Sequence, residues 1–179
     1  MQPSVVMLVV YRGMDQVLVA LTKLIAHPGA RPFPSPATLD VDLETAPPCV
    51  VDLARAMATN YRNLDIGEFS MYAGTPLTVM TLQDPIEMSD IPLDELEPED
   101  RVDPKATLRL ADDGGGMSAL GVSWSEDGQV SLLVVEMDDP TPENLIQRFS
   151  TPAEFLGFLE RNGRAVGADV RALLTGGAG

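Results

Sequence analysis

The sequence predicts an α+β fold: a central, mostly antiparallel sheet of about five or six strands, flanked by N-terminal and C-terminal helices. Three observations predict it. Apolar residues recur at helical spacing near both ends, at Val17, Leu18, Leu21, Leu24 and Ile25 and again at Phe155, Leu156, Phe158 and Leu159. Between them the pattern turns alternating or continuous, as in Phe69, Met71 and Ala73 or in Val130–Val135. Turn signals separate these runs, among them Gly114-Gly115-Gly116 and Glu126-Asp127-Gly128.

Residues 4–26 read as mostly helical, with Asp15 as a cap for the second half. A strand at 4–11 followed by a helix from 15 is the alternative, because Val5, Val6, Val9 and Val10 are β-branched. The four prolines of residues 28–36 make an extended connector, since proline fixes φ and donates no backbone hydrogen bond. A second helix is expected from about Pro48 to Asn60, with Val50, Leu53, Ala54 and Met57 as its buried stripe. Residues 67–73 and 77–82 read as an antiparallel hairpin.

Residues 84–104 carry nine carboxylates, from Asp84 to Asp103, against Arg101 alone. So many like charges predict a solvated loop or short exposed helical turns. Strands are then expected at Thr107–Ala111, Met117–Trp124 and Gln129–Glu136, the last covered on both faces. Asp112 to Gly116 reads as a flexible connector and Glu126-Asp127-Gly128 as a hairpin turn. Ser150 or Thr151 caps a C-terminal helix, with Pro152 in its first turn and Glu154 placed for a capping box. Asn162-Gly163 ends it, a weak helix covers about 165–174, and the last residues fray.

Length fits one domain, 1–179. Twelve basic and 27 acidic residues give a formal charge of −15. Such a field repels phosphate backbones and anionic bilayers, so nucleic acid and membranes are unfavourable partners, whereas a basic protein is attracted. The bland alternative is that the acidity only keeps the chain soluble. No basic region precedes the apolar run Val5–Val10, and that run is too short to span a bilayer, so a cytoplasmic protein is expected. The lone Cys49 beside Val50 and Val51 suggests a buried, inert thiol.

Candidate chemistry is sparse. One cysteine and one histidine cannot make a zinc site, and Asp112-Asp113 and Asp138-Asp139 lack the ligand spacing of a calcium loop. The triple glycine lacks the Lys-Ser/Thr ending of a phosphate-binding loop. No cofactor and no catalytic residue is therefore expected, although carboxylate chemistry without a recognisable motif stays open. Partner-binding candidates are Asp94, Glu95, Glu97 and Glu99 in the acidic segment, together with Asp112, Asp113, Asp138 and Asp139 in turns. Trp124, the only tryptophan, is either core or an interface anchor.

The order of features resembles the SUKH superfamily, which includes cell-wall-assembly regulators and bacterial toxin-immunity proteins. The likeness spans about residues 33–161. It runs from Pro36-Ala37-Thr38 through Leu43 and Glu44 to Pro48 and a helix through Asp52 and Leu53. It continues through Phe69–Leu82, the acidic linker and Leu110 to Gly116, and closes at Phe149-Ser150-Thr151-Pro152-Ala153-Glu154-Phe155-Leu156. The sequence departs from the pattern at Asn63 to Gly67 and at Thr151-Pro152, and residues 1–30 lie outside it as a helical extension. The resemblance implies an antiparallel sheet flanked by helices and a binding protein, not an enzyme. It further implies a toxin, often a nuclease, as the partner. A structural or accessory subunit of a phage or secretion assembly is the other class that fits the sequence.

Overall fold

The computed structural model describes residues 13–26, 31–61, 64–71, 78–162 and 165–176. The expectations for residues 4–12 lie outside these. Helix α1, Met14–Ile25, begins after Gly13, whose φ of 65° only glycine adopts at ease. Gly13 is the N-cap and brings no side chain to the task, so Asp15 sits inside the first turn and does not cap the helix. Strand β1, Arg31–Pro32, follows, then β2, Thr38–Asp40, and helix α2, Pro48–Thr59. In α2, Cys49, Val50, Leu53, Ala54, Ala56 and Ala58 are buried and Met57 is half-buried.

The short strands β3, Asn60–Tyr61, β4, Leu64–Ile66, β5, Phe69–Met71, and β6, Thr78–Met80, come next. Helix α3, Gln83–Met88, and a 3-10 turn at Leu93–Glu95 occupy the acidic segment. The long strands are β7, Thr107–Asp113, β8, Ser118–Trp124, and β9, Val130–Glu136. After them come β10, Ile146–Phe149, helix α4, Pro152–Arg161, and helix α5, Ala168–Leu174.

A six-stranded sheet in the order β10-β9-β8-β7-β5-β4 is antiparallel at every pairing. Residues 72–77 lie outside the described residues, and among the described ones the predicted hairpin between 67–73 and 77–82 does not form. Strand β5 instead pairs with β4 and β7, while β6 leaves that sheet and pairs in parallel with β2. Alternation at Phe69 and Met71 reported a buried face correctly, but it carries no information about which strand lies alongside. Strand β7 also runs two residues past its expected end, because a bulge between Arg109 and Ala111 shifts its register and draws Asp112 and Asp113 into the ladder.

The two faces of the sheet have different covers. On the inner face Leu108, Leu110, Leu120, Val122, Trp124, Val130, Leu132 and Val134 join the main core with α1, α2, α4 and α5. Phe149 of β10 meets Phe155 and Phe158 of α4 at centroid distances of 5.3 and 5.0 Å. Such pairs add about 1 kcal/mol each beyond burial. Thr151 caps α4: its hydroxyl accepts from the Glu154 N–H, and the Glu154 carboxylate accepts from the Ser150 and Thr151 N–H groups. This is the expected capping box.

The outer face is covered by the acidic segment itself. Leu82, Ile86, Leu96 and Val102 pack on Ala119, Leu133, Val135, Leu145 and Ile146 in a second apolar cluster. The expected short helical turns are present, but a purely solvated loop is not. The carboxylates stay outside while the interspersed aliphatic residues turn inward. Residue by residue, the segment is a charged strip with an apolar underside.

A candidate acidic docking surface

Four of the candidate carboxylates lie on the outside of this cover. Asp94 and Glu95 belong to the 3-10 turn, Glu97 and Glu99 follow it, and all four are exposed. Leu96, between them, is buried. Arg101 lies in the same stretch, yet it does not neutralise them. Its Nε donates to the Leu96 carbonyl at 2.9 Å and its Nη2 to the Asp94 carbonyl at 3.1 Å. Arg148 of β10 donates from Nη2 to the Arg101 carbonyl at 2.6 Å. Both guanidinium groups therefore stitch backbone. Among the described residues, no carboxylate between Asp84 and Asp103 forms an ion pair.

Asp138 and Asp139 are exposed at the corner between β9 and β10. Met137, just before them, packs on the same apolar cluster as Ile91 and Leu93 of the acidic segment. The corner and the segment are thus neighbours over one small core. The corner is built tightly. The Thr141 N–H donates to Asn144 Oδ1 at 2.6 Å, and the Leu145 N–H donates to the Thr141 carbonyl at 2.9 Å. Glu143, on the same corner, has its carboxyl held below the usual range by a hydrogen bond from the Thr141 side chain.

The remaining candidates do not join this surface. Asp112 is buried at 7% exposure, and its carboxylate accepts from Arg109 Nε at 2.7 Å and from Arg109 Nη2. It is a neutralised pair on the ladder, three residues apart in sequence with the register shift of the bulge between them. Asp113 is half-buried and accepts from the Met117 N–H at 2.7 Å, which closes the glycine turn. Trp124 is 6% exposed, and its indole N–H donates to Thr45 Oγ1 at 3.2 Å. Trp124 is thus a core residue. Glu126 and Asp127 lie at the opposite end of the sheet from Asp113, Glu136 and Asp138, as the register of β7, β8 and β9 requires. There Asp127 accepts from Ser125 Oγ and the Gln129 N–H, which hold its carboxyl below the usual range, while Gly128 supplies a φ of 82°. The acidic connectors therefore divide: one group shares the outer face, and another points away.

An apolar void of about 10 Å³ lies between α1, the sheet, α4 and α5, lined by residues such as Val17, Leu21, Phe155 and Leu173. That volume is at the threshold for a single water and lacks the polar groups that would hold one. Cys49 is buried with its Sγ 3.7 Å from Asp15 Oδ1, and burial together with that carboxylate pushes its thiol up to about 11. A thiol so shifted is a poor nucleophile near neutrality. Among the described residues, no group of three or more His, Cys, Asp or Glu could hold a metal ion, and no helix is long and apolar enough to cross a membrane.

No protein-family model, no curated protein and no solved structure matches this chain.

The acidic cover was half legible in sequence. Its charge is obvious, but Ile86, Leu96 and Val102 are too widely spaced to show a period, so their common inward direction was not. Strand β10 was missed outright. Its signal is only Leu145-Ile146 and Phe149 between Pro142 and Ser150, a pattern too short to distinguish from a connector.

Proposed function

We propose that this chain is a non-enzymatic protein-binding module that captures a basic protein through the outer, acidic face of its sheet. One observation carries the reading: Asp94, Glu95, Glu97 and Glu99 are exposed on a segment pinned to the sheet by Leu82, Leu96 and Val102, and among the described residues no arginine neutralises them. A fixed array of like charge concentrates an oppositely charged partner and raises its association rate, by up to roughly 10³-fold at low salt. Pinning also lowers the ordering entropy that a free acidic tail would lose on binding.

The resemblance to immunity proteins narrows the partner to a toxin. A nuclease toxin suits the charge, since its cleft must be basic to hold phosphates. On this reading the chain covers that cleft and acts where the toxin would act, in the cytoplasm. The test is co-expression with each polypeptide encoded beside the gene. Rescue of growth from a toxic neighbour is expected, together with a complex that dissociates as salt rises. The quadruple variant Asp94→Lys, Glu95→Lys, Glu97→Lys, Glu99→Lys should fold and lose the rescue. A neighbour that is toxic but neither bound nor neutralised would sink the toxin reading. Equal rescue by the charge-reversed variant would sink the acidic face.

A further inference from the structure

Strand β10 is one edge of the six-stranded sheet. The register shows which of its backbone groups point outward. The Glu136 N–H donates to the Leu145 carbonyl at 2.9 Å, so residues 136 and 145 form a hydrogen-bonded pair. Bonded and non-bonded pairs alternate along an antiparallel ladder. Gln147 opposite Val134 and Phe149 opposite Leu132 are then bonded pairs, while Ile146 opposite Val135 and Arg148 opposite Leu133 are not. The other side of β9 agrees, because the Met137 N–H donates to the Met117 carbonyl and so sets the odd residues of β9 against β8. The N–H and C=O groups of Ile146 and Arg148 consequently face away from the sheet. Among the described residues no strand lies on that side.

We infer that this edge takes up an extended, lysine- or arginine-rich segment of the partner protein as an additional strand. The inference rests on the reading that the partner is basic and adds where its backbone docks. Edge addition of this kind draws affinity from main-chain hydrogen bonds and specificity from alternate side chains. Charge selects the occupant. Asp138, Asp139 and Glu143 are exposed at the start of β10, and the acidic cover adjoins its outer face. A second copy of this chain would bring a charge of −15 against the same groups, so pairing of β10 with itself is disfavoured. Arg148 stands opposite Leu133, and its exposed guanidinium donates to the Arg101 carbonyl at 2.6 Å.

The test uses the full chain and a fluorescein-labelled peptide made of two Lys-Val-Lys-Thr repeats. A control peptide of the same charge has proline in place of valine and cannot form a strand. The first peptide should bind, and the proline peptide should bind at least about tenfold more weakly, because charge alone remains to it. The amide of Arg148, an exposed residue, should exchange with solvent readily in the free protein, and the amides of Ile146 and Arg148 should become more protected in the complex. Arg148→Pro removes an outward N–H, which an edge strand tolerates, together with the guanidinium bond to the Arg101 carbonyl, and should weaken the first peptide about fivefold or more. Arg148→Ala keeps that N–H and should leave binding within about twofold. Circular dichroism and thermal unfolding check that both variants fold, and the amide-exchange result stands without them. Equal binding of the two peptides, or exchange at Ile146 and Arg148 unchanged on binding, overturns the edge inference while leaving the acidic-face reading intact. Failure of the first peptide to bind at low salt overturns it as well. If the charge-reversed quadruple variant binds the first peptide as tightly as the native chain, the acidic-face reading fails and the edge inference does not.

Discussion

Gly121 and Leu82 are in direct contact across the outer face of the sheet. A Cβ built on Gly121 would collide with Leu82 Cδ1 and lie 2.9 Å from the Leu108 carbonyl oxygen. The missing side chain in the middle of β8 is what lets the start of the acidic segment lie flat on the sheet. Gly121→Ala should therefore destabilise the fold by about 2 kcal/mol, as overpacked cores do. Leu82 has to move first, so limited proteolysis should cut residues 83–104 faster than the rest of the chain. Urea unfolding at native-like stability with unchanged cleavage would disprove the contact's role.

Thr107 fastens the same junction from the side. It is fully buried, its Oγ1 accepts from the Leu82 N–H at 2.8 Å, and its hydroxyl donates to the Pro104 carbonyl at 2.7 Å. Both ends of the acidic segment thus hang on one side chain. Thr107→Val keeps the shape but leaves the Leu82 N–H unsatisfied, and should cost about 1–3 kcal/mol. Thr107→Ser retains the hydroxyl and should recover most of the loss, measured by the urea midpoint.

Cys49 predicts a pH response. Its folded-state value is raised from 9.0 to about 11, first by burial and then by the Asp15 charge. The folded state therefore disfavours the thiolate. This contribution to stability is fully present below pH 9, falls as the unfolded chain ionises between pH 9 and about 11, and is gone above that. Thermal unfolding of the native chain should decline more steeply across that window than that of Cys49→Ala. In Asp15→Asn the thiol should titrate lower, as followed by thiolate absorbance.

The exposed carboxylates should matter for binding and hardly at all for folding. Neutralising Asp94, Glu95, Glu97 and Glu99 together to Asn or Gln relieves like-charge repulsion. Stability should stay within about 0.5 kcal/mol per site or rise. The native chain should itself gain stability between low salt and about 0.15 M salt, where the Debye length falls to about 8 Å. A marked loss of stability in the neutralised variant would mean that these groups hold the segment down, contrary to the role assigned to Leu82, Leu96 and Val102.

The sequence by itself determined the elements whose signals are local. Helix α2 starts at Pro48, as its fixed φ allows. Helix α4 carries the capping box of Thr151 and Glu154 and the aromatic stripe of Phe155 and Phe158. Strands β8 and β9 and the Gly128 turn between them were equally legible, because a long apolar run with a two-sided burial pattern and a positive-φ glycine need no distant partner to be read. Tertiary structure alone decided the rest. It sent β6 to β2 and not to β5, brought β10 to the sheet, and folded an acidic stretch down over β8 and β9. In each case the deciding energy comes from contacts between residues far apart in the chain. A strand of three or four residues exposes the same backbone groups to any neighbour, and three aliphatic side chains among nine carboxylates find a common direction only when a sheet face is there to receive them.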